Sequence, residues 1–228
     1  MSAPLVLAIA GTDETLVLTE FDLVVAGYTG RDEAAVREHV EELAAIGVPE
    51  PDSVPAFYPL DRSLAVVADE ITVTGAGTSG EVEPLLVRTG GRLYLGVASD
   101  HTDRELERTT VAGSKAACPK PLGPTVLPLP ADLDWDSVAV RSSVDGRPYQ
   151  DGYLRALRIP TEVLALYLAA GDDGRDVVLL GGTVPVIGGD FVMGASWEMT
   201  LRPAGGPALE LNYRVAVADV GAAEGAKA

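Results

Sequence analysis

The sequence predicts a largely β protein with few helices, on two observations. Short runs of β-type residues dominate the chain, and Gly, Pro and Asp interrupt them at turn-like spacing. Only two segments carry a helical apolar stripe with start and stop signals. In order, strands are expected over residues 5–10, 15–18, 21–26, 64–67, 70–74, 81–87, 92–98, 137–143, 152–157, 176–180, 196–202 and 208–216. Asp32 can cap a helix in which Val36, Val40, Leu43 and Ala44 share a face, and Gly47 with Pro49 ends it. A second helix is expected over 161–170, with Pro160 at its start and Gly171 at its finish. A third, weaker helical pattern runs over 103–111, opened by Asp103 as its cap. The proline-rich connections 49–59 and 116–130 are stiff and can line a cleft. The chain reads as one domain over 1–228, with N-terminal strands within 1–23 and a small, polar tail over 221–228 expected to fray.

Composition narrows the function. A chain of 228 residues that is 47% apolar can bury a substantial core. A net charge of −17 disfavours a nucleic-acid partner, because phosphate binding draws on clustered Lys and Arg, and it disfavours an anionic membrane surface. Cys118 is the single cysteine, so no internal disulfide forms, and no Cys/His spacing suits structural zinc. That usage fits a cytoplasmic protein. Residues 4–10 are apolar but short and lack a basic segment ahead of them, which suits a first strand better than a signal sequence, and no run is long enough to span a bilayer.

Glu81 and Glu83, two apart on a strand, project to one face, and a hairpin partner over 92–98 can deliver Asp100 beside them. Three carboxylates at one point need a positive charge between them, and a hard cation such as Mg²⁺, Mn²⁺ or Ca²⁺ supplies it. The pattern of charges alone also allows a plainer arrangement, with both glutamates facing solvent and Asp100 capping a helix. Two histidines are available as bases. His39 lies at the edge of the first helix's stripe among Glu38, Glu41 and Glu42, and His101 adjoins Asp100 but alternates to the opposite face of its strand. Arg104 reads as a structural cation paired with an acidic neighbour, and Cys118 as a packed thiol.

A set of short motifs follows in order: Gly27-Tyr28, Pro55-Ala56-Phe57-Tyr58, Gly80-Glu81-Val82-Glu83, Ser99-Asp100-His101-Thr102-Asp103-Arg104-Glu105-Leu106, Lys115, Pro121-Leu122-Gly123-Pro124, Gln150-Asp151-Gly152 and Gly182-Thr183-Val184-Pro185. Together they resemble the fumarylacetoacetate hydrolase superfamily over residues 24–215, closest to a bacterial branch known as a domain of unknown function. The resemblance implies an α+β fold, mainly β, a mixed β-sandwich roll with a few short helices, usually as a homodimer. It places Glu81, Glu83 and Asp100 on the metal ligands, Lys115 by the active-site lysine and Thr183 on a Gly-Thr turn that can hold a substrate carboxylate. His39 is the nearest counterpart of the histidine in a Glu-His dyad. The chain departs from the pattern where Ser99 replaces Asn, Glu105 replaces Asp and Val184 separates Thr183 from Pro185, and where Gly27-Tyr28 lacks a preceding Asn. The implied activity is a hydrolase or lyase dependent on Mg²⁺ or Mn²⁺, acting on a small oxo-acid or β-diketone. Carbon–carbon cleavage, decarboxylation and keto-enol isomerisation all remain open, as does a non-catalytic ligand-binding or interaction module on the same scaffold.

Overall fold

Burial along the central strands decides the architecture. Every residue from 82 to 87 in the strand Val82–Thr89 is buried, as are four of the five in Asp176–Leu180, so these strands are covered on both faces. The computed structural model describes residues 3–45, 47 and 49–218, and for residues 39, 42 and 43 the backbone alone. Its main sheet has eight strands in the spatial order Thr15–Leu18, Leu5–Ile9, Thr125–Pro128, Arg92–Ser99, Val82–Thr89, Asp176–Leu180, Phe21–Gly27 and Ala56–Leu60. A second sheet of five runs Arg147–Tyr153, Ala139–Val144, Ser196–Arg202, Leu209–Val217 and Glu70–Val73. Parallel and antiparallel pairs are mixed in both.

One face of the large sheet, with Val24, Leu86, Leu95, Val97 and Leu179, packs on Trp197, Met199, Leu211 and Tyr213 of the second sheet. Its other face, with Leu23, Val25, Leu85, Val87 and Val178, closes on Leu5, Leu7, Ile9 and Leu18 of its own outer strands. The large sheet thus curls over a second core and becomes a roll. Register then brings several strand ends together. Val82 pairs with Ser99, Leu180 with both Leu85 and Val25, and Gly27 with Ala56, so the segments beyond residues 82, 99, 180, 27 and 56 meet at one end of the roll.

The two main helices form where expected, as Glu33–Ala45 and Pro160–Ala170. Asp32 Oδ1 accepts the Ala34 and Ala35 N–H groups, and Pro160 occupies the first turn of the second helix. The pattern over 103–111 resolves into two helices, Arg104–Glu107 and Val111–Ala116. Thr110 turns extended (φ −156°) and its hydroxyl caps the second by accepting Gly113 N–H. Asp103 caps the first, as the sequence suggested.

The strand expected over 152–157 lies instead at Arg147–Tyr153. Asp145 and Gly146, with φ of 48° and 75°, form a two-residue hairpin turn that starts the strand early, and a 3₁₀ turn follows at Leu154–Ala156. The segment expected as a strand over 64–67 is shorter, Ala65–Val66, after a 3₁₀ turn that Asp61 caps. The proline-rich connections contain the strands Ala56–Leu60, Lys120–Pro121 and Thr125–Pro128. Residues 221–228 lie outside the described residues. Among those described, no helix is long and apolar enough to cross a membrane.

Candidate active site

The motifs scattered from Gly27 to Pro185 come together at the end of the roll where the strand ends meet. Asp100 N–H donates to the Glu81 carbonyl at 3.0 Å, so these residues stand opposite one another just beyond the paired strands, with Glu83 two residues along on the same face as Glu81. Asp100 is fully buried and Glu83 is 2% exposed. The plainer arrangement, solvent-facing glutamates with Asp100 as a cap, does not occur at these two residues. Asp103 is the cap, and Asp100 lies inside.

Each buried carboxylate here has a specific environment. Asp100 Oδ2 accepts from Lys115 Nζ, and its Oδ1 lies 3.0 Å from Lys120 Nζ, which also donates to the His101 carbonyl. Burial alone would raise the Asp100 carboxyl, but Lys115 and then Lys120 hold it far below the carboxylate range. Burial tends to lower Lys115 too, yet Asp100 and Glu83 prevail and raise it. For Lys120 burial wins, helped by the like charge of Lys115, and its pKa is lowered. Arg104 donates to Glu81 at 2.8 Å, to Glu107 at 2.9 Å and to Ser79 Oγ at 2.6 Å, with the Phe191 ring 3.7 Å from its guanidinium carbon. It is the structural cation expected from sequence. Glu81, Asp100 and Glu107 therefore balance Arg104, Lys115 and Lys120 one for one. Glu83 is left over. It accepts Gly182 N–H at 2.8 Å and pairs with no cation among the described residues, and burial, followed by the charge of Asp100, pushes its carboxyl well above the usual range.

Only glycine can present that N–H. Gly182 has φ +95°, and a Cβ there would fall 1.7 Å from Thr29 Oγ1. The next residue, Thr183, donates its hydroxyl to the Val82 carbonyl at 2.9 Å and accepts from Gln150 Nε2 at 2.7 Å. Its proton is thereby engaged within the protein, so the hydroxyl ties the turn to the acidic strand. Gln150 completes the tie. Its Oε1 accepts Val82 N–H and the Ser142 hydroxyl, both at 2.9 Å, and its Nε2 also reaches the Val184 carbonyl at 2.7 Å. Sequence reasoning quoted Gln150 in a motif but gave it no role. A buried amide with four partners is visible only once the strands are paired.

His101 takes no part in the cluster. Its ring faces away from Asp100, with Nδ1 3.0 Å from Tyr213 Oη and Nε2 2.9 Å from Thr78 Oγ1, edge-on to Trp197 and Tyr213. Burial foremost, then Lys120 and Arg104, lower its pKa to about 3, so it stays neutral. His39 lies on the helix Glu33–Ala45, but its side chain falls outside what is described. Cys118 is buried, and burial raises its thiol to about 11, in keeping with a packed residue. Two tyrosines form a wall beside Lys115. Tyr58, half-buried, shares a hydrogen bond with Tyr28, is held at about 12 by burial and by Tyr28, and carries Lys115 Nζ 5.6 Å from its ring centroid. Tyr28 has φ +56°, a left-handed conformation uncommon for a non-glycine residue and frequent at sites.

Among the described residues no group of three His, Cys, Asp or Glu side chains is gathered closely enough to hold a metal ion as it stands. Asp100 is turned to its lysines and Glu81 to Arg104. The donor set still has the chemistry of a hard-cation site. It offers carboxylate oxygens on one face, and one of them, on Glu83, is buried beside another acid without a cation partner.

A family model described as "Protein of unknown function (DUF2848)" matches residues 26–213. No curated protein matches the chain. Several solved structures share its fold. A fumarylpyruvate hydrolase from Pseudomonas aeruginosa, in complex with Mn²⁺ and pyruvate, is 20% identical with a TM-score of 0.66, over 96% of this chain and 98% of that one. A 5-carboxymethyl-2-hydroxymuconate delta-isomerase from Mycobacterium smegmatis is 17% identical with a TM-score of 0.58, over 90% and 81%. A 2-keto-3-deoxyarabinonate dehydratase is 16% identical with a TM-score of 0.59, over 91% and 79%. The mainly β roll expected from the resemblance is the fold observed.

Proposed function

The chain belongs to the DUF2848 family, and for this member we propose an enzyme that acts on a small oxo-acid or β-diketone, as a hydrolase or lyase dependent on Mg²⁺ or Mn²⁺. The single observation that carries the reading is the buried cluster in which Lys115 and Lys120 share Asp100 while Glu83 stands beside them without an ion pair among the described residues. Such a cluster sets ammonium groups beside carboxylates, so that an anion held by Lys115 and a cation held by the acids can lie side by side. Likeness to a hydrolase, an isomerase and a dehydratase of one fold supports a reaction on an oxo-acid without choosing among reaction types.

Glu81, Glu83 and Asp100 would hold the ion, whose chemistry is Lewis-acid polarisation of a carbonyl oxygen. The protein's own residues do the rest. Lys120 is fully enclosed and fixes Asp100 from behind, whereas Lys115 is 7% exposed and borders the tyrosine wall, so Lys115 is the cation that meets substrate. Its raised pKa keeps it charged, and it stabilises negative charge developing on a substrate oxygen as a bond to the neighbouring carbon breaks. Tyr58 and Tyr28, both held protonated, bound the site beside Lys115. Gly182 and Thr183 position the turn against the acidic strand. A cytoplasmic homodimer is part of the same proposal.

One observation favours a second reading, a binding module without turnover: Asp100 and Glu81 are already satisfied by cations of the protein. The same experiment separates the two. With protein purified without chelator and supplied with Mn²⁺, we expect consumption of oxaloacetate or an acylpyruvate, followed by loss of the enol absorbance. Binding of these acids with no turnover of any would reject the enzyme and leave the module.

A further inference from the structure

We propose that the substrate carries, beyond its oxo-acid head, a tail without a carboxylate, and that the cavity beside the Lys115 helix receives it. This rests on the reading of the cluster as the oxo-acid site. The cavity has a volume of about 250 Å³ and is walled by Pro51, Phe57, Tyr58 and Val111, with Glu50 and Asp52 in its lining. It adjoins the cluster through two shared elements. Tyr58 lines the cavity and also faces Lys115 Nζ at 5.6 Å, and Val111 and Ala112, which line it, stand four and three residues before Lys115 on the same helix face. A space of this size falls short of the roughly 300 Å³ at which pockets begin to enclose a whole drug-sized ligand, so it suits one part of a molecule whose remainder lies against Lys115.

The chemistry of the lining selects that part. Among the described residues, Glu50 and Asp52 are the charged groups of its lining, and no described Lys, Arg or His side chain contributes. Ser53 donates its hydroxyl to the Pro55 carbonyl and therefore offers the cavity only an acceptor. Thr110 Oγ1 accepts Gly113 N–H and keeps its own proton for a ligand. Acceptors outnumber donors in the lining, beside the apolar surfaces of Pro51, Phe57 and Val111. A tail carboxylate would meet two like charges with no counter-ion, while an uncharged or amine-bearing tail meets apolar walls and acceptors. A head that lies against Lys115 and a tail that meets two acids must therefore differ in charge.

The test is calorimetric binding of two acylpyruvates of matched length, one ending in methyl and one in carboxylate, to the Mn²⁺-supplemented protein and to its Glu50→Gln/Asp52→Asn variant. Both replaced side chains are on exposed positions, so the fold is retained. Two exposed like charges, screened by water and salt, lead to an expected preference of the parent protein for the methyl tail of about tenfold, which should shrink severalfold in the variant. Equal or tighter binding of the carboxylate tail by the parent overturns the tail assignment and leaves the oxo-acid site standing. A methyl preference that the variant leaves intact also overturns it, because the acids would then not be its source. Binding of neither acid rejects the oxo-acid site itself, and the tail assignment with it.

Discussion

Asp100 and His101 are neighbours in sequence, both are fully buried, and they meet opposite fates. Asp100 faces the open end of the roll, where it stays ionised between two ammonium groups. His101 faces the core between the sheets, where it stays neutral between Tyr213 and Thr78 under Trp197. Alternation across the strand end separates a charged face, built of residues that compensate one another, from an uncharged face built of rings and hydroxyls. The difference shows where chemistry and where scaffold reside in the same short segment. Buried charge is kept only where opposite charge is built in beside it.

The comparison can be broken at either residue. Lys120→Met should have the largest effect, because it strips a fully enclosed partner from Asp100 and from the His101 carbonyl. Loss of one member of a buried pair costs about 3–5 kcal/mol, read as a fall in the denaturant midpoint. An unchanged midpoint would show that Lys115 alone suffices for Asp100. Lys115→Met comes next. Lys115 is the less enclosed of the two and holds no backbone carbonyl, so the midpoint falls less than in Lys120→Met, while kcat/KM for whichever oxo-acid is consumed falls by about 10²-fold. Parent-like kinetics in that variant would remove Lys115 from the chemistry.

The smallest effect belongs to His101 and depends on pH. Its folded pKa is lowered to about 3 from an unfolded value near 6.5, so its contribution is fully present above roughly pH 6.5 and is lost as pH falls from there toward 3. Stability should therefore decline between pH 6.5 and 5 by at most about 1.4 kcal/mol per unit, and the slope should be weaker in His101→Asn. An identical slope in the two proteins would mean that the ring is not held neutral by its surroundings.

Much of this arrangement was legible before any coordinates. The alternation of Glu81 and Glu83, the Asp103 cap and the pairing of Arg104 with an acid all followed from local rules, as did the helices opened by Asp32 and Pro160. The Asp145-Gly146 pair is itself a hairpin signal, and it starts the strand Arg147–Tyr153 ahead of the segment 152–157 that β-type composition marks. The twin lysines on Asp100 were harder to foresee. Lys115 and Lys120 occupy a helix and a short strand, and only the docking of both against the end of Arg92–Ser99 brings their ammonium groups to one carboxylate. Gln150 was illegible for the same reason, since its partners Val82, Ser142 and Val184 come from three separate segments. Long-range convergence is a property of register, which short motifs mark but do not determine.

Glu83, without an ion pair among the described residues, is the centre of the account, and titration calorimetry with Mn²⁺ on the parent protein and on Glu83→Gln tests it most directly. One ion should bind per chain of the parent, with affinity weaker by about tenfold or more in the variant, which keeps the shape of the side chain but cannot ionise to meet the cation. Equal affinity in the two proteins, or no binding by the parent, would contradict it.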